Sequence, residues 1–100
     1  MKRSKESKDG NGRIVITTFG KDKTGIVAGI SSELSKMNVN IEDMSSSKLE
    51  DMFVMLIVCN INKSKLDINE IKERIEKAGK KIRVNTIVQS EEIFKMMHRV

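Results

Sequence analysis

Apolar positions along this chain switch between two spacings, and the switches mark its elements. Arg13 to Phe19 is β-branched and bounded by glycine, which predicts a strand. Beyond the loop Gly20 to Gly25, the residues Ile26, Ile30, Leu34 and Met37 recur at helical spacing and predict one buried stripe. Asp22 or Thr24 can cap that helix, and Asn38 suits a left-handed stop. Val39 to Lys48 predicts a second strand, with Ser45-Ser46-Ser47 giving its later half the polarity of a sheet edge. Leu49 to Asp51 reads as a turn. Met52 to Ile61 is apolar on both faces except at Asn60, as a central strand would be.

The second helix announces itself with a capping box, Asp67 and Glu70, and with Leu66 placed to pack on Ile71 as a hydrophobic staple. Ile68, Ile71, Ile75 and Ala78 supply its buried stripe, Glu70–Arg74 and Glu73–Lys77 its i,i+4 pairs, and Gly79 its predicted end. Lys81 to Gln89 predicts a fourth strand with Ile82, Val84, Thr86 and Val88 on one face. Ser90 then caps a short helix whose charges, Glu91 and Glu92 first and Arg99 last, complement the helix dipole. The order βαββαβ with right-handed crossovers predicts an α+β, ferredoxin-like domain. Its four-stranded antiparallel sheet carries two helices on one face, plus the C-terminal helix, and strands one and three are central.

That architecture leaves one sheet face without a helix. The third strand offers it an apolar row, either Phe53, Met55, Ile57 and Cys59 or Met52, Val54, Leu56 and Val58. Ile93, Met96, Met97 and Val100 form an apolar side on the terminal helix that could supply part of the cover, for this chain's sheet or for a partner's. A second copy of the chain would cover the rest, so a homodimer is expected.

Composition removes much chemistry. One cysteine and one histidine, Cys59 and His98, exclude an intrachain disulfide and a multi-ligand thiolate or imidazole metal centre. Cys59 lies in an apolar strand and reads as a small hydrophobe, and no nucleophile–base–orienter set is apparent, so neither an enzyme nor a metal or other cofactor is expected. The longest apolar run, Met52 to Cys59, is far short of the ~20 residues of a membrane span. The net charge of +5 is divided: residues 1–12 hold four cations against two carboxylates and almost no apolar residue. Such a segment predicts a disordered basic tail, leaving residues 13–100 as the domain and only mildly basic. With no secretory signal in view, a cytoplasmic location is expected.

The loop Gly20 to Gly25 is the candidate site. It has neither the Walker A nor the dinucleotide spacing. It does feed a helix N-terminus, where the N–H groups of Gly25, Ile26 and Val27 are placed to receive an anionic group, Gly25 permits close approach, and Asp22 is placed to hold a ligand ammonium. The plain alternative, a glycine-bounded turn, remains open. Ser45 to Ser47 read better as a solvated edge than as a phosphoacceptor.

Gly20-Lys21-Asp22-Lys23-Thr24-Gly25-Ile26-Val27, followed by Val39-Asn40-Ile41, resembles the ACT domain, a regulatory module that binds amino acids and related small molecules. The likeness spans residues 13–100. The ending Glu92 to Arg99 is similar to that of stand-alone single-domain members akin to glycine-cleavage-system regulatory proteins. The resemblance implies a homodimer with ligand held between the first loop of one copy and the second strand of its neighbour. The implied binding residues are Asp22, Lys23, Thr24, Gly25, Ile26, Asn40 and Ile41. One departure from the family, the lack of an attached output domain, leads to the expectation of a separate regulated protein, while the short apolar runs and mildly basic body lead to the expectation of neither a membrane nor a nucleic-acid partner.

Two other classes share the strand order. An RNA-recognition module would stack bases on Phe19 and Phe53, but Asp51 to Met55 lacks the expected basic, glycine and second aromatic positions. An acylphosphatase-like enzyme would need an arginine in the first loop, where this chain has Lys21 and Lys23.

Overall fold

Three short polar side chains set where the helices begin. In the computed structural model, which describes residues 12–98, α1 (Lys23–Lys36) starts at Asp22, whose carboxylate accepts the Gly25 N–H at 3.2 Å. The capping box of α2 (Ile68–Lys81) is complete: Asp67 Oδ1 accepts from the Glu70 N–H at 2.9 Å and Glu70 Oε1 accepts from the Asp67 N–H at 3.0 Å. Ser90 Oγ accepts the Ile93 N–H at 3.1 Å to start α3 (Glu91–Met97). Residues 1–11 of the tail expected over 1–12, and the roles given to Arg99 and Val100, lie outside the described residues. Gly12 already belongs to the fold, its carbonyl accepting the Ile61 N–H at 2.7 Å.

The strands β1 (Arg13–Gly20), β2 (Asn40–Leu49), β3 (Met52–Asn60) and β4 (Asn85–Ser90) form one antiparallel sheet in the order β2-β3-β1-β4. The element order and central strands are those expected. Asn38 takes the left-handed φ of 60° that turns the chain from α1 toward β2. Of the two apolar rows on β3, Met55, Ile57 and Cys59 face the helices, where they pack with Ile16, Ile30, Leu34, Ile71 and Ile75.

Several expectations change. Gly79 does not end α2: the helix runs on to Lys81, and Arg83, at φ 62°, makes the turn. Gly79 is buried against β4, where an added Cβ would stand 3.0 Å from the Val84 carbonyl oxygen and 2.8 Å from Thr86 Cγ2. It is a glycine for close packing. Residues 81–84, expected in the fourth strand, instead complete the helix and the turn, so β4 begins at Asn85. Arg74 does not pair with Glu70, whose carboxylate is held in the capping box; it crosses to Glu33 of α1 at 2.7 Å.

The terminal helix also behaves differently. Ile93, Met96 and Met97 stay 52–65% exposed, and of the three only Met97 is seen to reach the open face, its sulfur accepting from Gln89 at 3.0 Å. Phe94 packs over that face, lining a cavity of about 180 Å³ with Val15, Leu56 and Val58. The helix is held by Arg13, which donates to Glu42 at 3.0 Å and to Glu91 at 3.2 Å. Glu42 is the extra residue of a bulge between Ile41 and Asp43, and the sequence pattern had no signal for it.

One polar group in the core is unpaired. Thr18, fully buried on β1, has a hydroxyl with no hydrogen-bond partner among the described residues. A buried unmet hydroxyl costs about 1 kcal/mol or more, and valine has nearly the same shape. Thr18→Val is therefore expected to raise the melting temperature by about 5 °C, read by circular dichroism. A fall would mean the hydroxyl has a partner in solution.

Candidate functional site

The first loop is built around the Asp22 cap and a cluster of lysines. Asp22 uses one carboxylate oxygen on the Gly25 N–H, and its carbonyl accepts the Ile26 N–H at 3.0 Å. Ile26 is buried in the core, beneath the loop. Two of the N–H groups expected to receive an anion are thus already engaged, and Asp22 is partly occupied by its own helix. What remains positive is the helix end itself, which has no acidic residue in its first turn, and the ammonium groups around it. Lys23 Nζ and Lys48 Nζ each stand 5.8 Å from the centroid of the Phe53 ring, and Lys21 pairs with Asp51 at 3.5 Å.

Phe53 and Lys48 were absent from the residues expected at the site. Register brings them there, since Lys48 on β2 pairs with Phe53 on β3, which in turn pairs with Gly20 at the start of the loop. The strand pairing could have been guessed from the tight turn Glu50-Asp51, but the approach of Lys23 from α1 is a tertiary fact.

Asn40 and Ile41 lie elsewhere. They begin β2 and line a cleft of about 680 Å³ at the far end of α1, with Ser31, Asn38, Asn60 and Asn62 among its walls. The 14-residue α1 spans about 21 Å, so within one chain the helix length separates them from Asp22 to Gly25. Asn38 donates to the Lys63 carbonyl at 3.1 Å and Asn60 donates to Glu42 at 3.3 Å, which fixes two of the cleft's amides. The expected site is therefore in two halves.

Other candidates are settled by position. Phe19 and Phe53 project from opposite faces of the sheet, because Phe19 pairs with Val54 and β3 alternates; no two-ring stacking platform forms. Ser45 to Ser47 are exposed along β2. His98 stacks on Phe94, ring centroids 4.1 Å apart, at the end of α3. Among the described residues no group of three His, Cys, Asp or Glu could hold a metal ion, and no helix is long and apolar enough to cross a membrane.

Cys59 is fully buried. Burial, with a smaller contribution from the negative charge of Glu42, pushes its thiol up to about 12. A raised thiol keeps its contribution to stability below the unfolded thiol's ordinary value and loses it as pH rises from there toward 12. Folded protein at pH 8 is expected to resist a thiol-reactive reagent, while urea-unfolded protein reacts within minutes. Rapid labelling of the folded state would show that the strand opens.

Residues 12–89 match the ACT domain family model. The chain is 44% identical over 88 residues to a UPF0237 protein of Methanocaldococcus jannaschii, covering 88% of this chain and 98% of that one. It is 38% identical over 88 residues to a UPF0237 protein of Listeria innocua, covering 88% and 99%. Among solved structures it is similar to an ACT domain protein from Streptococcus pneumoniae, at 35% identity and a TM-score of 0.72, covering 83% of this chain and 93% of that one. A putative glycine cleavage system transcriptional repressor shares the fold at 12% identity and a TM-score of 0.68, covering 88% of this chain and 52% of that one.

Proposed function

The chain belongs to the ACT domain family, a family of regulatory, ligand-binding domains, and from that premise we propose that it is a non-catalytic sensor of an amino acid. Its ligand site, on this proposal, is completed by a second copy of the chain. The free edge of β2 carries the reading: ten residues, exposed almost throughout, with the two halves of the site at opposite ends of the sheet.

Topology supplies the rest. Both β1 and β2 run antiparallel to β3, so they are parallel to each other, and the loop after β1 sits at the end where β2 finishes. A second β2 adding antiparallel along the free edge would reverse that direction. It would carry the partner's Asn40 and Ile41 toward the first chain's Asp22 to Gly25. A site so formed has Lys23, Lys48 and the α1 end for a carboxylate. The second oxygen of Asp22 and the amide of Asn40 are available for an ammonium. Gly25 keeps the loop open, since a Cβ there would stand 3.0 Å from Asp22 Oδ2.

Ligand that binds only the paired state stabilises the dimer by mass action, which is the regulatory signal. A thiol kept buried at Cys59 suits a reducing cytoplasm, where we place the chain.

A thermal-shift screen of the twenty amino acids at about 5 mM tests the reading, with light scattering on any hit. One amino acid is expected to raise the melting temperature by about 5 °C or more and to increase the dimer fraction. Gly25→Leu, which fills the loop, is expected to remove the shift without unfolding the chain. A response of less than about 1 °C to all twenty would overturn the amino-acid reading.

A further inference from the structure

A basic strip lies along the cleft between the two main helices. The cleft, of about 460 Å³, runs between α1 and α2, floored by the small residues Gly29, Ser32 and Ala78. Lys36, Arg74, Lys77 and Lys81 stand along it, with Glu33 the one carboxylate, and Lys63 and Lys65 extend it at the end where a second hollow shares Lys36 and Arg74. These six cations face one carboxylate, whereas the rest of residues 12–98 holds eight cations against eleven carboxylates. The basic character of the body is thus a property of this strip and not of the surface at large. Glu33 is already taken by Arg74, at 2.7 Å. Among the described residues, Lys36, Lys63, Lys65, Lys77 and Lys81 pair with no carboxylate.

We propose that this cleft is a docking surface for an acidic amphipathic helix of a second protein. Charge complementarity picks an acidic partner, and the floor picks its form. Gly29 lets Ile82 pack over α1, since a Cβ there would meet Ile82 Cδ1 at 2.9 Å, and Ile82 adds an aliphatic side chain to the lining. Small residues between two helices let a third helix approach closely with its apolar face down and its carboxylates against the lysine walls. The lining contains no aromatic ring on which a base could stack. The cleft shares no residue with Asp22 to Ile26, Asn40 or Ile41, so the surface does not depend on the amino-acid reading.

The test uses the full chain and a labelled helical peptide with leucine on one face and glutamate on the other, followed by fluorescence anisotropy. Binding is expected, weakened about tenfold by Lys77→Glu with Lys81→Glu. Lys72→Glu with Lys80→Glu makes the same charge change on α2 outside the cleft and is expected to leave binding within about twofold. Ser32→Trp, which fills the floor without touching charge, is expected to weaken binding too. Melting temperatures of all variants establish that they are folded. Four results would each overturn the proposal. They are no binding at about 100 µM peptide, equal affinity for a peptide of the same composition with its faces scrambled, equal losses from the two double variants, or tighter binding of an RNA oligonucleotide. Self-association of the chain abolished by Lys77→Glu with Lys81→Glu would likewise replace the second protein with a second copy.

Discussion

Ile75→Ala is expected to lower the melting temperature by about 10 °C or more, at a cost of about 3 kcal/mol. Ile75 is fully buried at the middle of α2, and this helix meets the core through few side chains: Ile71 and Ile75, with Ile68 at its edge and the bare backbone at Gly79. Removing three carbons at that point leaves a cavity that neighbours on two sides cannot close. One side is the sheet, whose positions are fixed by the ladder; the other is α1, already tied to α2 by the Glu33–Arg74 pair. Urea unfolding should show a lower midpoint with an unchanged slope, as expected when stability falls and the fold does not. A cost under about 1 kcal/mol would mean that α2 collapses onto the space and packs less tightly than the structure shows.

The second large effect concerns the neighbouring position and acts by adding atoms. Gly79→Leu is expected to cost about 3 kcal/mol, with Gly79→Ala costing about 1 kcal/mol. By helix propensity alone, alanine should stabilise this position by about 1 kcal/mol. Against that stands the Val84 carbonyl oxygen, 3.0 Å from where a Cβ would sit, and it belongs to backbone that cannot rotate away. Overpacking exceeds propensity here because the chain turns from α2 into β4 within a few residues. The urea midpoints of the two variants decide the matter. An alanine variant more stable than the parent would show that Gly79 is an ordinary helix position and that the β4 end of the sheet yields easily.

These positions also show why some features were legible in the sequence and others were not. Caps and stops depend on residues within about four of each other, so Asn38, Asp67 and Ser90 could be assigned from spacing, whereas the choice of Asp22 over Thr24 needed the structure. Gly79 reads as a helix end in the same local terms, but the left-handed turn falls four residues later at Arg83, and what requires glycine at 79 is the close approach of Val84 and of Thr86 on β4. Arg74 is similar. Its sequence neighbour Glu70 has the favourable spacing, but the capping box holds that carboxylate, and α1 brings Glu33 within 2.7 Å.

The candidate site divides along the same line. Asp22, Gly25, Asn40 and Ile41 are visible as motif residues, and their chemistry follows from residue type. Their separation across the length of α1 does not, and neither does the gathering of Lys23 and Lys48 on Phe53.

By itself the sequence determined the order βαββαβ, the starts of α2 and α3 and the central place of β3. Each follows from periodicity, capping and apolar content, which act over one or two turns of chain. Only the tertiary structure decided which apolar row of β3 meets the helices, that Phe94 of α3 packs over the open sheet face, and that the helix pair gathers lysines into one strip. Those outcomes depend on the register of strands and the crossing of helices, and contacts between residues distant in the chain set both.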